Sequence, residues 1–63
     1  MDDLTLAIDI LTGEMLEEKK AHRALERAEN LYQTNMGSEK LLPKIQSLNY
    51  AISILKSNGK DAP

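Results

Sequence analysis

Along the first half of the chain, apolar residues recur at three- and four-residue steps: Leu4, Ile8, Leu11 and Met15. Such spacing returns side chains to one side of a helix and marks an amphipathic helical segment. Asp2 and Asp3 precede it, where carboxylates can accept unpaired backbone N–H groups and complement the positive end of the helix dipole. After a charged stretch from Glu17 to Lys20, still made of good helix formers, a second apolar set follows. It comprises Ala21, Leu25, Ala28 and Tyr32, with Ala24 and Leu31 alongside. The pattern predicts a first helix over about residues 3–35. At 100° per residue the second set lies about 110° around the cylinder from the first. Supercoiling absorbs part of that rotation, and a kink near Gly13 absorbs the rest.

Asn35-Met36-Gly37-Ser38 punctuates the pattern. Gly37 can take the left-handed conformation that closes a helix, and Ser38 can cap the next one. Leu41, Ile45, Leu48, Ile52 and Leu55 then form an uninterrupted four-three stripe, the mark of a second helix. Pro43 is tolerated in the first turn only, where its missing N–H has no helical partner. Ser57-Asn58-Gly59 should end this helix. The expected organisation is a single helical domain over residues 1–57, with a turn at 36–39, a second helix over about 40–57, and a flexible tail at 58–63.

A short connection makes the two helices antiparallel neighbours, so the fold class is all-α, a helical hairpin with a long N-terminal helix. Counting back from the turn places Leu41 near Tyr32, Ile45 near Ala28, Leu48 near Leu25, Ile52 near Ala21 and Leu55 near Glu18 or the stem of Lys19. A second helix of about 17 residues spans ~25 Å, whereas a first of about 33 would span ~50 Å. The front of helix 1 is then left without cover from its own chain. Either it folds back at Gly13 as a third helix, or it packs on another copy to give a multi-helix bundle. The second outcome is favoured, because each buried Leu or Ile contributes ~1.5–3 kcal/mol and a chain this small needs help to fold. Leu4, Ile8, Leu11 and Met15 are the expected oligomer interface, joined by Tyr50 and Ile54, which lie opposite the Ile45-Leu48-Ile52 stripe.

Composition narrows the chemistry. The chain has 63 residues, no cysteine, one histidine (His22) and a net charge of −2. Disulfides and thiolate metal sites are excluded, and one histidine gives no nitrogen-rich metal cluster. The Glu18–His22 spacing of four differs from the Glu-x-x-His spacing of di-iron bundles. No serine sits in a glycine-rich elbow, and the glycines at 13, 37 and 59 form no phosphate loop. Acidic residues at helical spacing need a cleft to do acid–base work, and a hairpin offers none. No catalytic residue, metal or cofactor is therefore expected. The acidic balance also argues against a duplex nucleic-acid binder, leaving an accessory nucleic-acid role as the weakest alternative. The opening Met1-Asp2-Asp3 lacks a basic leader, and the Leu4–Leu11 run is too short to span a bilayer. Cytoplasmic residence is the expectation.

One polar feature stands out. Lys19, Arg23 and Arg27 fall at four-residue steps, with Lys20 beside them. Like charges so spaced repel, so the row either serves as a solvated outer face or receives an anion, with Tyr50 available to stack on a base. In size, helicity and its start at Met1, the chain resembles small helical accessory proteins of phages and mobile elements. The resemblance rests on no residue motif. It implies either a regulatory protein that self-assembles and blocks a host factor, or one that sequesters a signalling nucleotide, cyclic or otherwise. A self-associating module that binds or inhibits a partner protein is the leading expectation.

Overall fold

The computed structural model describes residues 2–61, with side-chain exposure for residues 2–59. It is an antiparallel hairpin: α1 spans Asp3–Tyr32, a single 3-10 turn spans Ser38–Leu41, and α2 spans Leu42–Asp61. No strand occurs among the described residues. Asp2 caps α1 as its sequence position suggests, its Oδ1 accepting the Thr5 amide at 2.7 Å. Pro43 falls in the first turn of α2, where the backbone tolerates it. Helix α1 runs unbroken through Gly13.

The turn departs from the expected one. Helix α1 stops at Tyr32 rather than near residue 35, because Gln33 adopts the left-handed conformation at φ 53° and donates its N–H to the Glu29 carbonyl. Gly37 is indeed left-handed, at φ 83°, but it precedes the 3-10 turn instead of closing α1. Ser38 does not cap α2 with its side chain; its hydroxyl donates to Glu29 Oε1. The Met36 and Ser38 amides both donate to Glu29 Oε2, at 2.7 and 3.1 Å. One carboxylate on α1 thus takes three donors from the returning strand of the hairpin.

At the far end, α2 continues past residue 57 to Asp61. Residues 58–61 are therefore helix rather than tail; of the expected tail, Ala62 and Pro63 lie outside the described residues. The 3-10 turn and α2 together supply ~38 Å of rod, enough to reach the start of α1. A methyl group added at Gly59 would lie 2.9 Å from Leu4 Cδ2. The inferred shortfall of the second helix is thus absent: Leu4, Ile8, Leu11 and Met15 face their own chain and are half-buried.

The seam also follows a different track from the one read off the apolar residues. Inward positions on α1 are Leu4, Ile8, Leu11, Met15, Glu18, His22, Leu25 and Glu29, all half-buried. They alternate in steps of four and three, the 3.5-residue repeat of a left-handed coiled coil. The matching series is Leu41, at the end of the 3-10 turn, followed on α2 by Ile45, Leu48, Ile52, Leu55 and Gly59. Ala21 is exposed and Tyr32 is 67% exposed, so the expected pairings of Ile52 with Ala21 and Leu41 with Tyr32 do not form. The register is fixed instead by Ser38 on Glu29, Lys44 on Glu18 and Gly59 against Leu4.

Two helices side by side enclose little. Ile52, at 4% exposure, is the one buried apolar side chain among the described residues. The hairpin measures 53 × 18 × 11 Å with a radius of gyration of 15.1 Å, against ~11 Å for a compact domain of this length.

Candidate interaction surface

A second stripe runs along α1 beside the seam. Ala7, Ile10, Glu14, Glu17, Ala21, Ala24, Ala28 and Leu31 alternate in steps of three and four without a break, so they share one side of the helix. Six of the eight are apolar. Ile10 and Leu31 are exposed, as are Ala21 and Ala24, while Ala7 and Ala28 are half-buried.

Ionic contacts show which flank of α2 lies beside this stripe. Lys44 Nζ is 2.9 Å from Glu18 Oε1, and Glu18 followed by Glu14 raises the Lys44 pKa through a hydrogen bond and charge attraction. Lys44 also borders a shallow depression whose α1 wall includes Ile10, Gly13, Glu14 and Glu17. In an antiparallel pair, equivalent flanks of the two helices adjoin. The α2 positions on the Lys44 flank are Lys44, Ser47, Ala51, Ile54 and Asn58, at the same alternating steps. Ala51 is half-buried and Ile54 is exposed. One broad side of the hairpin therefore carries Ala7, Ile10, Ala21, Ala24, Ala28 and Leu31 next to Ala51 and Ile54, with Glu14, Glu17 and Lys44 as its charges. The opposite broad side carries Thr5, Asp9, Thr12, Leu16, Lys19, Arg23, Leu42, Gln46, Asn49 and Ser53; it is mostly polar, with Leu16 and Leu42 as its exposed apolar side chains.

The residues expected at an interface are divided by the fold. Leu4, Ile8, Leu11 and Met15 lie in the seam, whereas Ile54 lies on the apolar broad side. Tyr50 is 70% exposed on α2, at the outer edge farthest from α1. Lys19, Lys20, Arg23 and Arg27 are all exposed and form a ribbon on the back of α1 and its polar flank. Within one chain, Tyr50 and this ribbon occupy opposite edges of the hairpin.

No protein-family model, curated protein or solved structure matches the chain. Among the described residues, no group of histidine, aspartate and glutamate could hold a metal ion, and no helix is long and apolar enough to cross a membrane.

Ala21 and Ala28, expected in the seam opposite Ile52 and Ile45, belong to this outer stripe together with Ala24 and Leu31. The signal that separates them is the eight-position series starting at Ala7, which coexists with an equally regular series starting at Leu4.

Proposed function

We propose that this chain is a non-enzymatic helical interaction module that self-associates and binds or inhibits a partner protein. The supporting observation is surface left over after folding. A compact monomer of 7.0 kDa has ~4,000 Å² of accessible surface, whereas the hairpin exposes 4,932 Å². The surplus of ~900 Å² is the excess of a thin two-helix rod, which cannot shelter both sides of its helices. Exposed large side chains, Leu6, Ile10, Leu16, Leu31, Tyr32 and Ile54 among them, make that surface apolar enough to drive association. Sedimentation velocity on the full chain across the micromolar range tests the reading. A dimer or larger species is expected; a monomer that keeps its helicity at every concentration overturns it.

A second reading draws on the exposed ribbon of Lys19, Lys20, Arg23 and Arg27. Its cations suit a small anionic ligand such as a cyclic nucleotide, with Tyr50 of another copy supplying a stacking ring. A thermal-shift comparison of nucleotides and cyclic dinucleotides against inorganic phosphate checks it. Absence of any shift would remove this reading and leave the first intact.

A further inference from the structure

We infer that the cluster of Leu16, Lys19, Arg23, Leu42 and Gln46 on the polar broad side docks an acidic amphipathic helix of another protein. This rests on the partner binding proposed above and names the face used and the chemistry of the partner. The hairpin's own register places the cluster. With Glu18 on Lys44 and Leu4 against Gly59, Leu42 comes level with residues 20–21, between Lys19 and Arg23, and Gln46 comes level with Leu16. All five are exposed, Leu16 by 56% and Leu42 by 41%. Lys20 and Arg27 border them on the back of α1.

Charge complementarity names the occupant. Lys44–Glu18 is the one ion pair among the described residues, and no ribbon cation shares in it. Lys19 and Arg27 have no Asp or Glu three or four residues away, where a helix places its charge partners. Within a turn of the cluster its flank supplies one acid, Glu26, three residues beyond Arg23. Carboxylates brought from outside relieve the repulsion along the row, and Arg23 can hold one with paired N–H donors. Leu16 and Leu42 add apolar area that a free anion does not use. The depressions at the turn and beside Lys44 include no ribbon cation, so the row lies on open surface. Cations and leucines together, over ~17 Å from Leu16 to Arg27, match a helix with Glu at four-residue steps beside an apolar stripe. A second copy does not fit, since a two-fold contact through this side sets like cations against each other. Nucleic acid fits poorly, because Glu17, Glu18 and Glu26 flank the row and no aromatic ring within it can stack a base.

The test is a labelled helical peptide of about 15 residues, with Glu at four-residue steps beside a Leu stripe, titrated into the full chain and read by fluorescence anisotropy. Micromolar binding is expected at low salt, weakening as salt rises, and at least about tenfold weaker when Gln replaces Glu in the peptide. Arg23→Gln and Lys19→Gln should each weaken binding about fivefold, and Leu16→Ala about threefold. Ser47→Glu, which shifts the net charge equally on the other broad side, should change it by less than about twofold. Circular dichroism checks the fold of each variant; should one cation variant lose helicity, the other decides. A peptide that binds but ignores Arg23→Gln, Lys19→Gln and Leu16→Ala overturns this face and leaves partner binding standing. Equal affinity for the Gln peptide, no binding, or displacement by a single-stranded RNA of equal charge overturns the acidic helix as occupant. Self-association is decided separately, by sedimentation.

Discussion

Glu29 is the residue on which the hairpin turn is built. It accepts from the Met36 amide and from both the amide and hydroxyl of Ser38, and these donors, Ser38 first, hold its carboxyl below the ordinary 4.5. A depressed carboxyl stabilises the folded state while ionised, so its contribution is present above the unfolded pKa and lost as pH falls through the lower folded value. Acidification should therefore lower the melting temperature. In Glu29→Gln the melting temperature at neutral pH should drop, and the further fall on acidification should shrink; an unchanged acid slope would show that the turn does not depend on this charge. Asp2, held low by the Thr5 amide, keeps its own share of the slope in that variant. Gly13 shows the converse, a residue with no contact to protect it. An added methyl there meets nothing within 4 Å, and α1 passes straight through. Gly13→Ala should stabilise the protein by about 1 kcal/mol, or roughly 4–8 °C in melting temperature for so small a domain. A loss of stability would mean that the glycine admits a neighbour closer than the hairpin alone provides.

At the scale of the helices, much was legible from spacing and from a few special residues. Leu4–Met15 and Leu41–Leu55 announced two helices, Asp2 announced a cap, Pro43 fixed a first turn, and Asn35–Ser38 announced the reversal. Register was not legible, for a physical reason. Helix α1 has two equally regular 3.5-residue series, and apolar content favours the outer one in its second half. The fold keeps the inner one because its polar members are satisfied there: Glu18 by Lys44 and Glu29 by the turn. The end of α2 is not legible in the sequence for a related reason. Gly59 resembles a stop signal, yet it is helical, and its missing side chain is what lets Leu4 approach. These assignments separate cleanly by mutation. His22→Leu should add about 1 kcal/mol by extending the half-buried seam. Ala21→Leu, outside the seam, should change stability by less than about 0.5 kcal/mol. Denaturant titration distinguishes them, and the reverse order would restore the seam through Ala21.

For the molecule as a whole, length and the absence of cysteine pointed to a need for help in folding, and the hairpin shows why. A rod 53 Å long and 11 Å thick buries Ile52 and little else, so its apolar residues are half-sheltered at best. The front end of α1 is covered by its own chain, and the broad sides of the hairpin are not. If two hairpins bury their broad sides together, folding and association become one equilibrium, and the melting temperature rises with chain concentration. The enthalpy of unfolding scales at ~0.7 kcal/mol per residue, giving about 90 kcal/mol for two chains of 63 residues. The van't Hoff relation then gives a rise of about 5 °C for each tenfold increase in concentration. A wild-type midpoint that stays constant over two decades of concentration would mean that the single hairpin carries its own stability, and that its apolar side serves some purpose other than holding two copies together.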